Sequence, residues 1–336
     1  MLLIYYLTGM TIYAFILFAV DKRRAMTDPK RRIPERKLIS VTVLGGAIGS
    51  GLGMVIFWHK VNKKKFYVTV PVCVVLTLLI TGACLYMNLH LTVSEYEYVS
   101  EEVPPELDGF RIVQVSDLHS QFYGFNEKRL TDRIAELKPD IIVVTGDVVD
   151  SRFTDYGRAR QFFAVAVKIA PVYYVTGNHE ARLSNWSYRN FQGAVRELGV
   201  HMIDNEKVEL EGLTIIGISD DDLANPPKDL QTDNGLCICL AHEPMYYNRY
   251  LALGADITFT GHMHGGQIII PGKGGFISPD FTFFPELYEG AHEYTSKDGR
   301  SMTMYISRGL GNSVLPLRIN NYPELVVVTL RSSAAR

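Results

Sequence analysis

The chain has 336 residues, four cysteines and a formal net charge of −2 at pH 7. Four cysteines cannot form a disulfide framework for a chain of this length, so we interpret them as buried small hydrophobes. Residues 1–65 carry a net charge of +9 and the remainder −11. The acidic, larger part is therefore not expected to bind nucleic acid, since that affinity comes mostly from neutralising phosphates.

Three uncharged apolar runs open the chain, and each is about long enough to cross a bilayer: Met1–Val20, Leu38–Trp58 and Phe66–Met87. Basic residues follow the first run instead of preceding it, which favours an uncleaved span over a signal peptide. We predict a membrane segment over residues 1–90 with two or three helical spans.

The second run contains a stripe of glycines at four-residue spacing, Gly45, Gly49 and Gly53. Small residues at this spacing suit close helix packing in lipid, so the run is predicted to be a packed span. A glycine-rich loop that dips into the membrane is the alternative.

The distribution of positive charge predicts the orientation. Residues 21–37 and 59–65 are basic, whereas residues 88–110 contain only acidic charges. If all three runs cross, the large domain is cytoplasmic and residues 59–65 break the positive-inside rule. If the second run is re-entrant, both basic segments stay inside, and the domain lies on the extracytoplasmic side. We favour the second arrangement.

Residues 15–85 resemble a small bacterial membrane domain of unknown function. The resemblance is carried by Asp21-Lys22-Arg23-Arg24-Ala25, Arg32-Ile33-Pro34-Glu35, Leu44-Gly45-Gly46 and His59-Lys60. It implies a membrane location and says nothing about chemistry.

Residues 91–107 are acidic and contain Pro104-Pro105, and we predict them to be a linker. Residues 108–332 form the next predicted domain, in which strands at 110–115, 140–145 and 172–175 alternate with helices at 126–137, 157–169 and 188–198. Strands alone follow, at 213–218, 236–240, 257–260, 267–270, 302–306 and 325–330. Alternation followed by pure β structure predicts a layered α/β sandwich with mixed sheets.

Each early strand ends in a polar cluster: Asp117 with His119, Asp147 with Asp150, and Asn178 with His179. The clusters are separated by roughly the length of one βα repeat. Parallel strands bring such ends to one edge of a sheet, where α/β folds bind ligands.

Two later strands deliver further histidines. His242 follows one, and His262 and His264 follow the other within a glycine-rich stretch. Residues i and i+2 of an extended segment point the same way, so His262 and His264 can present two imidazoles to one volume.

So many ligands require two metal ions. Asp147 is predicted to bridge them, with Asp117, His119 and His264 on one ion and Asn178, His242 and His262 on the other. Mixed imidazole and carboxylate ligands favour Mn, Fe or Zn over Mg or Ca. Two such ions can stabilise both the attacking and the leaving oxygen of an in-line displacement.

His179 is left without a ligand role and is predicted to be catalytic. It would stabilise the transition state or protonate the leaving oxygen as a general acid. Asp150 would orient that imidazole. A capped helix start for His179 and a turn residue for Asp150 are the structural alternatives.

The ordered motifs D-x-H, G-D-x-x-D, G-N-H-E, a lone histidine and G-H-x-H resemble those of the calcineurin-like metallophosphoesterase superfamily. Every ligand position of the family finds its residue here, in order. Gly265-Gly266-Gln267 and Ser307-Arg308-Gly309-Leu310-Gly311 look like the membrane-associated bacterial branch. By this resemblance Arg308 is a candidate substrate-binding residue, with anchorage of its glycine turn as the alternative.

The expected function is that of a membrane-anchored phosphoesterase that hydrolyses a P–O bond with metal-bound hydroxide. Its expected partners are the bilayer and a phosphodiester or pyrophosphate substrate that is lipid-linked or belongs to the envelope; no protein partner is inferred. The related branch implies a nucleotide-linked acylated sugar such as UDP-2,3-diacylglucosamine, a cytoplasmic substrate that conflicts with the favoured orientation. A non-catalytic membrane sensor is the alternative. Residues 271–288, rich in aromatics, would line the cleft, touch lipid or fold on themselves.

Overall fold

The computed structural model describes residues 2–183, 186–232, 235–297, 299–312 and 317–333. The chain divides into two compact units, Met1–Tyr86 and Met87–Arg336. The first contains the predicted membrane segment, and the second contains all the predicted ligands.

The first unit is helical. Its helices are α1 (Leu2–Thr27), α2 (Glu35–Val41), α3 (Ala47–Ile56) and α4 (Lys64–Leu89), the last of which continues into the second unit. The first apolar run lies in α1. Among the described residues, Glu35–Ile56 and Lys64–Leu89 are long and apolar enough to cross a membrane.

The second apolar run folds back on itself. Between α2 and α3 the backbone turns through a π-helical segment, where Gly45 has a φ of 105°. A Cβ at Gly49 would collide with Thr11 of α1, and one at Gly53 would lie 2.6 Å from Phe18. Gly49 and Gly53 therefore pack on α1, as a small-residue stripe does. Gly45 supplies the turn instead, because its left-handed backbone suits glycine.

The hairpin begins and ends at the same end of α1. At its start, the Ile33 amide donates to Asp21 Oδ1 at 2.9 Å. At its far point, a Cβ on Gly45 would lie 3.1 Å from Leu7. At its return, His59 Nε2 lies 2.8 Å from Asp21 Oδ2. The segment Glu35–Ile56 meets the length and composition of a span, but its path is that of a hairpin that returns to the end of α1 from which it starts.

A buried ionic cluster joins the two basic segments of this unit. Lys60 Nζ and Arg32 lie 3.2 and 3.3 Å from Asp21 Oδ2, in addition to His59. Lys60 also pairs with Glu35 at 3.3 Å. The carboxylate of Asp21 is fully buried, and its charge is matched by protein cations.

The second unit is an α/β structure. Its elements are β1 (Thr92–Ser100), β2 (Arg111–Val115), α5 (Lys128–Glu136), β3 (Ile141–Thr145), α6 (Tyr156–Ala166), β4 (Val172–Val175), α7 (Asn178–Ala181), α8 (Trp186–Glu197), β5 (His201–Met202), β6 (Lys207–Leu210), β7 (Leu213–Gly217), β8 (Leu236–Leu240), α9 (Tyr247–Ala252), β9 (Ile257–Thr260), β10 (Ile269–Ile270), β11 (Gly274–Gly275), β12 (Gly290–Thr295), β13 (Ser301–Ile306) and β14 (Glu324–Ser332).

Two six-stranded mixed sheets organise this unit. Their strand orders are β1-β14-β2-β3-β4-β5 and β12-β13-β9-β8-β7-β6. One core lies between the first sheet and helices α5, α6 and α8, a second lies between the sheets, and a third lies between the second sheet and α9. The predicted layered α/β sandwich with mixed sheets is confirmed.

The central strands form where the sequence is apolar without interruption. All five residues of β3 and of β8 are buried. Strands of a parallel sheet covered on both faces carry such runs, because each face packs on a separate core. The site-bearing ends of these strands therefore sit on a rigid frame.

The predicted linker over residues 91–107 is wrong for its first part. Residues 92–100 form β1, which pairs in parallel with β14 along nine residues. The acidic residues Glu95 and Glu97 alternate with Tyr96 and Tyr98, whose side chains pack toward the inter-sheet core. Period-two alternation on an edge strand was hidden by the acidic composition, so the domain begins before residue 108.

Candidate metal centre

The predicted ligands lie at the carboxyl ends of strands from both sheets. β2, β3 and β4 are parallel neighbours in one sheet, and β8 and β9 are parallel neighbours in the other. The backbone is left-handed at five of the ligand residues: Asp117, His119, Asp147, His262 and His264. Non-glycine residues adopt this conformation at a cost, and such strain concentrates at functional sites.

The first predicted ligand group comes together. His264 Nε2 lies 3.4 Å from Asp117 Oδ1 and 3.1 Å from His119 Nε2. His119 Nε2 lies 3.5 Å from Asp147 Oδ2. Asp117, His119 and His264 are buried and close enough together to hold one metal ion.

The second group assembles on the other side of the same carboxylate. His242 Nε2 lies 3.3 Å from Asp147 Oδ2 and 3.3 Å from His262 Nδ1. Asn178 Nδ2 lies 3.4 Å from His262 Nδ1. Asp147 Oδ2 is thus within 3.5 Å of a histidine from each group, so the two groups meet on this carboxylate.

The hydrogen bonds around Asn178 and His242 leave one atom of each side chain available to bind a metal ion. Asn178 Oδ1 is buried and has no hydrogen-bond partner among the described residues. His242 Nδ1 lies 2.8 Å from the carbonyl of Thr145, so it donates there and leaves Nε2 as the nitrogen that faces Asp147 and a metal ion. A second hydrogen bond of this kind fixes the tautomer of metal-binding histidines.

Burial and charge set the protonation of the cluster. Burial lowers the pKa of His119 and of His262 to about 3, which keeps both imidazoles neutral, the form that binds metals. Burial alone would raise the pKa of Asp147, but the neighbouring imidazolium of His242 holds it well below its usual range, and the Asp147 carboxylate raises the pKa of His242 despite burial. Burial raises the pKa of Asp117 to about 6. Asp147 therefore stays ionised to lower pH than Asp117.

His179 lies beside the first ligand group. Its ring is 4.6 Å from that of His119 in an edge-on arrangement, and its backbone amide donates to Asp147 Oδ1 at 2.8 Å. The Ser151 backbone amide donates to His179 Nδ1 at 3.0 Å. The proton of the neutral ring consequently sits on Nε2, the nitrogen free to face a substrate.

Asp150 does not hydrogen-bond His179. Its carboxylate is 3.7 Å from His179 Nδ1 and 3.7 Å from His119 Nδ1. Instead it accepts the backbone amide of Arg152 at 2.7 Å and pairs with the guanidinium of that residue at 2.9 Å. Its contacts are those of a turn residue, and Ser151 holds the imidazole.

Residues 110–266 match the calcineurin-like phosphoesterase family, and residues 11–66 match a family of unknown function, DUF1294. The first match spans all seven predicted ligands. The chain carries a calcineurin-like metallophosphoesterase domain. Its enzyme class is that of the hydrolases that act on phosphate esters. The domain of unknown function that residues 15–85 resemble corresponds to the DUF1294 match.

Relatives with this metallophosphoesterase domain occur in bacteria and animals. The chain is 29% identical to the uncharacterized metallophosphoesterase YkuE of Bacillus subtilis, over 75% of the chain and 90% of the relative. It is 24% identical to the phosphodiesterase YaeI of Escherichia coli, over 66% of the chain and 82% of the relative. It is 26% identical to a transmembrane protein with metallophosphoesterase domain of Danio rerio, over 72% of the chain and 57% of the relative.

Among solved structures, TT1561 of Thermus thermophilus aligns with 60% of the chain and 90% of its own length. The TM-score is 0.40 and the sequence identity 9%.

Sequence reasoning did not identify the residue that ties two ligand loops of the metallophosphoesterase domain together. Glu180 is fully buried and accepts the backbone amides of Asp147 at 2.7 Å, Gly177 at 2.9 Å and Val149 at 3.0 Å. Burial raises its pKa to about 8. The G-N-H-E motif contained Glu180, but only the fold brings its carboxylate to the loop of Asp147.

Two further residues, Arg318 and Asn321, support the loop after β13 and the His264 loop. The guanidinium of Arg318 is fully buried and donates to the carbonyls of Gly311 at 2.6 Å and Arg308 at 2.8 Å. Asn321 Nδ2 donates to the His264 carbonyl at 2.7 Å. A lone arginine in a loop carries no sequence signal of this role, because its partners are backbone carbonyls.

Arg308, the candidate substrate residue, is already paired. Its guanidinium lies 2.6 Å from Glu324 and 3.4 Å from Glu289, beside a cavity of about 410 Å³ lined also by Tyr96 and Tyr288. Two carboxylates offset its charge, so the structure gives no support to a phosphate contact. The anchoring alternative agrees better with these contacts.

Proposed function

We propose that this metallophosphoesterase is membrane-anchored and binds two divalent ions. Its proposed substrate is a phosphodiester or pyrophosphate that is lipid-linked or part of the envelope. One observation carries the dinuclear proposal: two groups of ligands meet on a single carboxylate oxygen, Asp147 Oδ2, at 3.5 and 3.3 Å.

The ions would be Mn, Fe or Zn, since four imidazoles, two carboxylates and an amide are the ligands those metals share. When bound, they would activate water and offset charge on the phosphoryl oxygens. The protein residues hold the donors at fixed positions: Thr145 orients His242, Glu180 holds the Asp147 loop, and Asn321 holds the His264 loop.

His179 would act as a hydrogen-bond donor to the reacting phosphate. Because Nδ1 accepts from Ser151, only Nε2 presents a proton. Burial also lowers the pKa of His179, which favours the neutral ring. Of the two roles expected for His179, stabilisation of charge in the transition state is therefore the better supported, and full proton transfer the less.

We place the domain on the extracytoplasmic side. The buried pair of Asp21 with Lys60 and the more exposed pair of Glu35 with Lys63 join residues 21–37 to residues 59–65, so both basic segments lie at one end of the first unit. The positive-inside rule makes that end cytoplasmic. The hairpin returns to it, and α4 then crosses. Reporter fusions after residue 100 test this: active cytoplasmic reporters would refute it.

The alternative, a non-catalytic sensor, would be favoured by loss of Asp147, Asn178 or His179. All three are present and positioned at the centre, so hydrolysis is the better supported function.

The proposal is tested with the full chain in detergent. It is stripped with a chelator, supplied with Mn²⁺, Zn²⁺ or Fe²⁺, and assayed with a chromogenic phosphodiester and the matching monoester. Hydrolysis should disappear and return with the metal, at two ions per chain. Hydrolysis that survives complete metal removal would contradict the proposal, as would two bound ions with neither ester cleaved.

A further inference from the structure

The loops that carry the metal ligands also carry exposed aromatic side chains. Phe125 follows His119, Phe153 follows Asp147, Trp186 follows Asn178 as the first residue of α8, and Phe281, Phe283 and Phe284 follow His264. We call these six residues the aromatic collar. Their exposures run from 48% for Phe284 to 88% for Phe125. Among the described residues from Met87 onward, most of the exposed large apolar side chains lie on ligand-bearing loops.

Half of the collar lies close to the ligands along the chain. Phe125 and Phe153 come six residues after His119 and Asp147, and Trp186 comes eight after Asn178. These ligands end neighbouring parallel strands, so the loops leave the fold at one edge. These three collar residues therefore lie at the same edge of the sheet as the metal ligands.

The last loop is tied to the centre by hydrogen bonds. The amide of Phe276 donates to the carbonyl of Ile268 at 2.8 Å and to that of Gly266 at 3.2 Å, and the amide of Phe284 donates to the carbonyl of Phe276 at 3.0 Å. Phe284 is thus two hydrogen bonds from Gly266, which lies two residues after His264.

Packing within this loop does not bury its aromatic side chains. Phe276 packs edge-on against Phe283 and Phe284, at 5.4 and 5.5 Å between ring centroids. Even so, Phe281, Phe283 and Phe284 remain 61%, 60% and 48% exposed. Phe281 and Phe284 also have left-handed backbones, with φ of 65° and 52°, which is unfavourable for bulky residues. The loop keeps a strained conformation that presents its aromatics outward.

We propose that the aromatic collar docks on the surface of a lipid bilayer, so that the centre acts on phosphate esters of membrane lipids. This inference rests on the proposed function and names its substrate class. Phenylalanine and tryptophan are the residues that anchor proteins at membrane interfaces. The chain also carries two segments apolar enough to cross a membrane, so a bilayer is the apolar surface at highest local concentration.

The negative charge of the chain after residue 65 favours docking by insertion of apolar side chains and not by electrostatic attraction to lipid headgroups. The chain after residue 65 has a net charge of −11, which opposes attraction to anionic headgroups. Docking by the collar should therefore be insensitive to salt, because apolar burial is not screened by ions.

The two tryptophans of the chain allow a direct test. Trp58 lies in the first unit and Trp186 in the collar, so a full-length Trp58→Phe variant reports on the collar alone. It is placed in nanodiscs of phosphatidylethanolamine and phosphatidylglycerol, with or without brominated acyl chains, which quench tryptophan on contact. Quenching by about half or more, unchanged by salt, is expected if Trp186 sits at the headgroup–acyl boundary.

A control tryptophan is placed at the opposite edge of the sheet. Glu136→Trp, in a chain with both native tryptophans replaced by phenylalanine, sits at the exposed end of α5, just before β3 begins. It should not be quenched. Equal Trp186 emission in both nanodiscs would overturn the proposal. So would a shift to shorter wavelength without quenching, which would assign the collar to a protein partner or a second copy.

A combined Phe281→Ser, Phe283→Ser and Phe284→Ser variant gives a second readout. The ratio of turnover on a fluorescent phosphodiester lipid in nanodiscs to turnover on the water-soluble diester should fall by about tenfold or more. An unchanged ratio would overturn the proposal. Quenching of Trp186 with both substrates untouched would refute the proposed function instead, whereas metal-dependent cleavage without quenching would refute only the collar.

Discussion

Each unit of the chain contains a buried cluster of acids and bases, and the two clusters are built in opposite ways. In the first unit, Asp21 faces Lys60, Arg32 and His59 at 2.8–3.3 Å. In the second, the ionic partners of Asp147 and Asp117 among the described residues are histidines, at 3.3–3.8 Å. The first carboxylate is matched by permanent protein cations, and the second pair is not.

This difference separates a structural cluster from a ligand-binding one. A buried charge is tolerated when partners satisfy it, so the Asp21 cluster is complete as it stands and joins two helix ends. In the second unit, acceptor atoms of imidazoles and carboxylates converge on one volume. Burying such acceptors is costly unless a cation joins them. The two divalent ions that we propose would satisfy the second cluster, whereas the first needs none.

The largest effect should follow from Asp147→Asn, which keeps the shape of the bridging residue and removes its charge. Metal content should fall from two ions per chain, and turnover of the soluble diester should fall by about three decades or more, because both ligand groups depend on Asp147 Oδ2. Metal analysis and steady-state rates measure this. Asp132→Asn, in an exposed pair with Lys128, is the matched control, and a variant with wild-type metal and turnover would remove the bridging role.

His179→Ala should separate chemistry from metal binding. The imidazole supplies one positioned donor, whose loss costs about a hundred- to a thousandfold in rate, while both ions stay bound. His201→Ala, which removes an exposed imidazole stacked on Tyr173, should change neither quantity. An unchanged rate constant for His179→Ala would remove its catalytic role, and loss of metal would make it a structural residue.

The comparison also shows what could be predicted from the sequence. The ligand set could be predicted, because βα spacing and strand-end motifs place Asp117, Asp147 and Asn178 at one edge of the sheet. The strands β3 and β8 could be as well, since continuous apolar runs have few other uses in an α/β fold.

What could not be predicted depends on backbone partners and on register. The donor to His179 is an amide of Ser151, and every residue but proline has an amide. Strand β1 could not be predicted because its glutamates are typical of a linker, although Tyr96 and Tyr98, on alternate positions, pack on the core between the sheets. The turn at Gly45 in a predicted helical stripe follows from the packing of α3 on α1, a tertiary contact without a local signal.

Asp21→Asn should destabilise the first unit and leave the metal centre unchanged. Removing one partner of a buried ion pair costs on the order of 3 kcal/mol, because Lys60 loses its buried counterion. Limited proteolysis of the detergent-solubilised chain should show faster cleavage within residues 21–65, with metal content and soluble-ester turnover unchanged. Asp28→Asn, an exposed partner of Arg31, should have little effect. Loss of metal in Asp21→Asn would show that the two clusters are not independent.

The smallest effect is expected for Asp150→Asn, even though Asp150 lies among the motif residues. Its carboxylate is 3.7 Å from His179 Nδ1, beyond hydrogen-bond distance, and asparagine keeps an oxygen for the Arg152 amide. The lost pair with Arg152 is partly exposed and worth at most about 1 kcal/mol, or roughly fivefold in rate. Steady-state rates beside those of His179→Ala decide this. A hundredfold loss in Asp150→Asn would mean that the carboxylate, and not the Ser151 amide, orients the imidazole during turnover.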